Sequence, residues 1–329
     1  MSSGNVKFRA GDRVELRSPA EIAATLDEMG DLDGLPFMPE MTRLFGRRFI
    51  VAAQADRVCD TIAGGGLRRV ADTVMLREVR CDGVEHGGCQ AGCLLYVKHA
   101  WLQALPADAQ PTLRDAADIT ALHDRLLAFA CDENDGVARF RCQATQALVA
   151  SDRVSRKSVS SYLGVLTSGD VSAPTFTRVM MRAVVMEAAQ AMGRIPNPDI
   201  VASGSTATTP KTEPLGLQPG EWVRVRSKEE IERTLNDKGR NRGLWFDREM
   251  LLLSGRVFQV RSRVNRIVDE RDGSMIEISS DCVILEGAVC SGQHSLRRWF
   301  CPRAIFPYWR EAWLERVDVP AETHLPDGS

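Results

Sequence analysis

Long apolar runs are missing from this 329-residue chain, and no stretch of it is long enough to span a bilayer. Aromatic residues make up only 6% of it, with three tyrosines, and histidines number five. Neither sign of charge dominates: 42 basic residues face 44 acidic ones, a formal net charge of -2. That balance removes any global electrostatic reason to expect nucleic acid or an anionic membrane as a partner. Walker loops, dinucleotide fingerprints, nucleophile elbows and zincin helices are all absent from the sequence. The opening residues, Met1-Ser2-Ser3-Gly4-Asn5, run into a charged segment without the apolar core of a signal peptide, so a cytoplasmic location is expected. Nine cysteines in a reducing compartment suit thiolate ligands and buried thiols better than a disulfide framework.

What the chain does contain is an internal repeat. Gly11-Asp12-Arg13-Val14 returns as Gly220-Glu221-Trp222-Val223, an offset of 209 residues. Without gaps, residues 11–60 and 220–269 match at 21 of 50 positions, including Arg17-Ser18 with Arg226-Ser227 and Glu40-Met41 with Glu249-Met250. Such self-similarity takes precedence over other inference, because it sets the architecture. The offset still holds at Cys81 and Cys290. Beyond them, spacing pairs His86 with His294 and Cys93 with Cys301, and Ala100-Trp101-Leu102 with Ala312-Trp313-Leu314.

Each copy opens with an alternating strand and a capped helix. Ser18-Pro19-Ala20-Glu21 carries a serine cap, a proline in the first turn and a glutamate that reaches back; Ser227 and Glu230 fill the same places. Further strands lie at 48–53, 71–80, 257–261 and 280–289, which suggests an SH3-like or similar small barrel. The expected fold class is therefore α+β: a tandem duplication of a small strand-rich module with one capped helix, separated by an α-helical insert. The boundaries are 1–105 for the first module, 106–194 for the insert, 195–218 for a flexible linker, 219–319 for the second module and 320–329 for a tail. Helices are expected in the insert at 119–130, 137–150, 158–166 and 173–192, the methionines of the last as packing residues. Cys59, Cys131 and Cys282 stand alone and are expected as core thiols.

The chemistry concentrates in two loops. Cys81, His86, Cys89 and Cys93 lie among Gly83, Gly87, Gly88 and Gly92, which let a backbone wrap around an ion. Together they would make a Cys3His site, and Cys290, His294 and Cys301 a second site short of one ligand. Cys142, on an expected helix of the insert, can complete either shell. Zinc at two sites is the leading cofactor, because it needs no redox partner; iron or an iron–sulfur cluster is the alternative. Arg297 and Arg298, inside the second loop, can clamp an anionic group or compensate thiolate charge.

Two functions fit. One is a duplicated metal-binding protein whose ions stabilise a binding or scaffold module, with a small molecule or protein held in a cleft between modules. The other is a metalloenzyme with an open Cys2His site at Cys290, His294 and Cys301, hydrolytic or lyase with zinc and redox with iron. Sequence alone does not decide between them.

Overall fold

Two serines set the first helical turns. Ser18 Oγ accepts the Glu21 N–H at 3.3 Å while Glu21 Oε2 accepts the Ser18 N–H at 2.9 Å, and Ser227 and Glu230 repeat both bonds at 3.3 and 2.9 Å. These capping boxes satisfy N–H groups that a helix start leaves without partners. The helices they open, Pro19–Ala23 and Lys228–Glu232, are single turns that bury Ile22 and Ile231. The structure, a computed structural model, describes residues 6–63, 65–155, 158–194 and 202–318. It is a mixed α+β fold with several small antiparallel sheets.

The chain divides into two units that are not continuous in sequence. One holds the described residues up to 194 together with Arg266–Glu277 and Cys290–Ile305; the other holds those of Asp199–Asn265, Ile278–Val289 and Phe306 onward. The repeat-based division puts 266–277 and 290–305 in the second module, whereas by contact these segments go with the first unit.

In the first unit five antiparallel strands form a sheet in the order Leu94–Lys98, Thr73–Arg80, Phe49–Gln54, Arg13–Leu16, Leu102–Ala104. Strand Phe49–Gln54 alternates buried and half-buried residues, the period-two pattern of a sheet with one face on a core. Trp101, fully buried in that core, donates its indole N–H to Thr25 Oγ1 at 3.1 Å and meets Phe37 edge-on at 5.1 Å. The second unit has a four-stranded sheet, Val283–Leu285, Val257–Arg263, Trp222–Val225, Leu314–Arg316. There Trp313 donates to Thr234 Oγ1 at 3.0 Å and meets Phe246 edge-on at 5.4 Å. Register shifts fall between Val51 and Ala53 in one sheet and between Val260 and Ser262 in the other, again 209 residues apart. Among the described residues the edge strands of neither sheet pair with each other, so strand pairing does not close the expected barrel.

The insert departs from expectation in one place. Helices form at Ala116–Leu127, Val159–Thr167 and Ala173–Ala191, but 137–150 is not helical. Strands Cys131–Asn134 and Val137–Phe140 make a hairpin, and turns follow. Asp135 and Gly136 both have positive φ, 57° and 71°, which is the backbone a two-residue hairpin turn requires. Cys142 thus follows a strand, and Cys131 is exposed instead of core. Helix Ala173–Ala191 buries Val179 and Ala183 but leaves Met181, Val184 and Val185 exposed, so its apolar surface is only partly packed. Of the expected flexible linker, 195–201 lies outside the described residues. Of the rest, Ala202 and Leu217 are buried and the Gly204 N–H donates to the Asn236 carbonyl at 2.9 Å, while most residues of 205–216 are exposed. The expected tail 320–329 also lies outside the described residues.

One buried acid in the first unit gives a pH signature. Asp170 Oδ1 accepts the Gln54 N–H at 3.0 Å, yet burial pushes its carboxyl up from 3.8 to about 6. An acid whose native pKa exceeds its unfolded value holds its proton more tightly when folded. Its contribution is full below pH 3.8 and is lost as pH rises through about 6. Two pKa units correspond to about 3 kcal/mol at most, less after solvent screening. Urea unfolding of Asp170→Asn should therefore lack a decline that the native chain shows between these limits; parallel pH profiles for the two proteins would contradict this.

Candidate metal centre

Three pieces of backbone converge in the first unit. Glu40 comes from the short 3-10 helix Pro39–Leu44, Cys81 follows the strand Thr73–Arg80, and His86 sits in the loop beyond it. The loop folds back on itself: the N–H groups of His86 and Gly88 both donate to the Gly83 carbonyl, at 3.0 and 2.9 Å, and Cys89 N–H donates to the His86 carbonyl at 3.1 Å. Cys81 N–H donates to the Cys93 carbonyl at 2.9 Å, which closes the base of the loop. Gly83 is required for this path, because its φ is +71° and a Cβ there would lie 1.9 Å from the Cys89 carbonyl oxygen.

The loop brings His86 Nδ1 within 2.5 Å of Glu40 Oε1, and Cys81 Sγ within 3.4 Å of Glu40 Oε1 and 4.0 Å of His86 Nδ1. All three ligand atoms lie within 4.8 Å of one another. A tetrahedral ion with bonds of about 2.0–2.3 Å holds its ligand atoms roughly 3.3–3.8 Å apart, so small side-chain shifts suffice to seat one. Other features fit a cation. Glu40 Oε2 is buried without a hydrogen-bond partner. His86 Nε2 lies 3.2 Å from the Arg141 carbonyl, so as an N–H donor it leaves Nδ1 to present its lone pair toward Glu40 and Cys81. Gly83 N–H donates to Cys81 Sγ at 3.3 Å, a bond that favours thiolate. The Glu40 and His86 side chains are 4% and 1% exposed.

Burial pushes the Cys81 thiol far above its ordinary range, and the Glu40 charge pushes it further, as do Cys93 and Cys142. Cys93 rises to about 12 and Cys142 to about 11, each chiefly through burial. Without a cation these thiols keep their protons at neutral pH; a soft divalent ion supplies the charge that removes them. Of the ligands expected from sequence, the structure thus gathers Cys81 and His86, with Cys93 and Cys142 near enough for charge on them to be felt at Cys81. Cys89 turns to another partner: its Sγ accepts the Val268 N–H at 3.4 Å.

The second loop assembles differently. Gly292 approaches the Cys301 backbone as Gly83 approaches Cys89, and a Cβ on it would lie 2.3 Å from the Cys301 carbonyl oxygen. Phe300 N–H donates to the Gly292 carbonyl at 2.8 Å, and Cys301 N–H to the Arg298 carbonyl at 3.2 Å. Cys290 N–H donates to the Ile305 carbonyl at 2.8 Å. By these bonds Cys301 corresponds to Cys89, Arg298 to His86 and Ile305 to Cys93, which corrects the pairing drawn from spacing. Three residues are added inside the loop, and His294 is part of the altered stretch. Its ring nitrogens lie 2.8 and 2.7 Å from Arg182 Nη1, while Cys301 Sγ accepts the Cys59 N–H at 3.2 Å. Cys290, His294 and Cys301 therefore form no common site, and among the described residues only Glu40, Cys81 and His86 make a ligand group. Arg297 donates to Gln190 Oε1 at 3.0 Å, and Arg298 Nη2 lies 3.8 Å from where a Cβ on Gly65 would be.

Sequence reasoning missed Glu40. Its signal was present, because Glu40-Met41 is among the repeated pairs and an acid beside a methionine in an apolar helix is a candidate for burial. No family model, curated protein or solved structure matches the chain.

Two glycine substitutions separate backbone constraint from mere loop flexibility. Gly83→Ala, with its Cβ driven into the Cys89 carbonyl, should cost more than about 3 kcal/mol or prevent folding. Gly88→Ala also has positive φ, but its nearest contact is Arg266 Cδ at 3.8 Å, and it should cost only about 1–2 kcal/mol. Equal unfolding midpoints for the two variants would contradict the loop geometry described.

Proposed function

We propose that this chain is a metal-binding protein in which one zinc ion, held by Glu40, Cys81 and His86, has a structural role. The observation that carries the proposal is the buried ligand triangle, with His86 held from behind by the Arg141 carbonyl at 3.2 Å and Glu40 Oε2 left without a partner. Cys142 is the fourth ligand in this reading. It follows Arg141 directly, and its charge bears on Cys81. A mixed shell of sulfur, nitrogen and oxygen suits zinc, and ligands as buried as Glu40 and His86 leave no open position for substrate. Such an ion ties the helix Pro39–Leu44, the loop after Arg80 and the hairpin Cys131–Phe140 together, so its binding energy is folding energy.

In the same reading the two sheets descend from one duplicated module. The shared capping boxes, register shifts and Trp-to-Thr bonds support this, as does the 21-in-50 identity between copies. In this reading only the first copy kept a complete ligand set: the second has Glu249 and Cys290 at the places of Glu40 and Cys81, but Arg298 where His86 stands. The open Cys2His enzyme site has no such support, because among the described residues Cys290, His294 and Cys301 do not bring their ligand atoms together.

As-purified protein should contain one zinc per chain and show no visible thiolate-to-iron absorption. Chelation should lower Tm by several degrees and zinc should restore it, since a structural ion is worth kilocalories to a domain of this size. Glu40→Gln and His86→Ala should each lower zinc occupancy, and His86→Ala should also lower Tm. A folded, metal-free native chain indifferent to chelator would refute the reading.

A further inference from the structure

Cys59 and Cys301 lie outside the metal centre and meet directly: Cys59 N–H donates to Cys301 Sγ at 3.2 Å. Both are buried, packed with Leu67 and the partly buried Val154 and Ile305. A guanidinium is built in beside them. Arg303 Nη1 lies 3.0 Å from the Cys59 carbonyl, 3.0 Å from Thr61 Oγ1 and 3.8 Å from Cys59 Sγ, and Nη2 pairs with Glu270 at 3.2 Å. Arg303 is itself only 7% exposed, so its charge acts at short range with little screening.

A small cavity of about 10 Å³ adjoins Cys59, lined also by Asp60, Thr61, Arg68, Tyr96 and Arg303. It has room for roughly one water molecule. At the equivalent place in the other hairpin, Val268 N–H donates to Cys89 Sγ, with valine where Cys59 stands. The fold therefore accepts an apolar residue at this position, and packing alone does not call for the thiol.

From this arrangement we infer that Cys59 and Cys301 form a peroxide-reactive dithiol, with Cys59 as the attacking sulfur, Cys301 as the resolving one, and hydrogen peroxide or a comparably small hydroperoxide as the oxidant. Two observations select the oxidant and the roles. The cavity beside Cys59 is too small for bulky disulfides, while a peroxide needs only a slight widening of a space with room for about one water molecule. Arg303 touches Cys59 and also stands where it can stabilise departing hydroxide. The hydrogen bond from the Cys301 thiol and the Arg303 charge draw the Cys59 thiol down, and the same hydrogen bond together with burial pushes Cys301 up.

The chemistry balances. Cys59 thiolate attacks one oxygen of hydrogen peroxide, the O–O bond breaks, and hydroxide leaves and is protonated to water, which yields the sulfenic acid. Cys301 gives up its proton and attacks that sulfur; the S–S bond forms, the S–O bond breaks, and the second hydroxide leaves as water. Two thiols are oxidised by two electrons and peroxide is reduced to two waters.

The test uses the full-length, metal-loaded protein and one equivalent of hydrogen peroxide. Intact mass should fall by two hydrogens, peptide mapping should place the new bond between Cys59 and Cys301, and a dithiol reductant should reverse it. The reaction should run at least about tenfold faster than alkylation-detected loss of the exposed Cys131 thiol, the internal reference. Cys301→Ser should stop at a sulfenic acid on Cys59 that dimedone traps. Cys59→Val, which copies the residue at the equivalent position, should fold normally, keep its metal and lose the reaction. Oxidation that begins at Cys131 or at the metal-centre thiols, or a Cys59 that reacts no faster than Cys131, would overturn the proposal. Metal content measured in the same samples keeps this outcome separate from the zinc reading.

Discussion

The contact between Glu40 and His86, 2.5 Å apart and almost wholly removed from solvent, is the constraint around which the first unit is arranged. A carboxylate taken out of water loses several kilocalories of hydration, and it persists in a core only when something returns that energy. His86 Nδ1 lies against one oxygen, Oε1. The other, Oε2, has nothing from the protein, and Cys81 stands beside the pair with its thiol held by the Gly83 N–H. Three groups of this kind are tolerated together when a cation joins them. The turns built by Gly83 and the Arg141 carbonyl behind His86 follow from the need to hold that arrangement.

The two loops share one turn and differ in the residues that cap it. Both turn about a glycine whose missing Cβ lets the chain pass a cysteine backbone, Gly83 by Cys89 and Gly292 by Cys301. In the first, the residue whose carbonyl caps the turn is His86; in the second it is Arg298. A guanidinium offers no ligand at that point and puts a fixed positive charge in the loop. Cys301 meets Cys59, whose N–H its Sγ accepts.

Much of the local structure was legible from residues alone. Ser18 with Glu21 and Ser227 with Glu230 announced their helices, the strands Phe49–Gln54, Thr73–Arg80 and Val257–Arg263 fell close to their expected ranges, and Cys81 and His86 stood out as candidate ligands that the fold brings together, whereas Leu94–Lys98, Leu102–Ala104 and Leu314–Arg316 were not expected as strands. Errors came where tertiary context decides. The hairpin at 131–140 was hidden because leucines and alanines beyond Phe140 have helical spacing, although Asp135-Gly136 is a strong turn signal. The pairing of Cys93 with Cys301 relied on counting residues through a loop that had gained three of them, and only backbone bonds reveal where they entered. Glu40 escaped notice because burial of an acid is a property of the fold and not of its spacing. That segments 266–277 and 290–305 belong by contact with the first unit has no sequence signature at all.

The most direct test is X-ray absorption at the zinc edge of the as-purified protein, with His86→Gln as the comparison. The account predicts a mixed shell, with nitrogen or oxygen at about 2.0 Å and sulfur at about 2.3 Å, and imidazole scattering that disappears in the variant. An all-sulfur shell, imidazole scattering unchanged without His86, or no bound metal in a folded chain would contradict it.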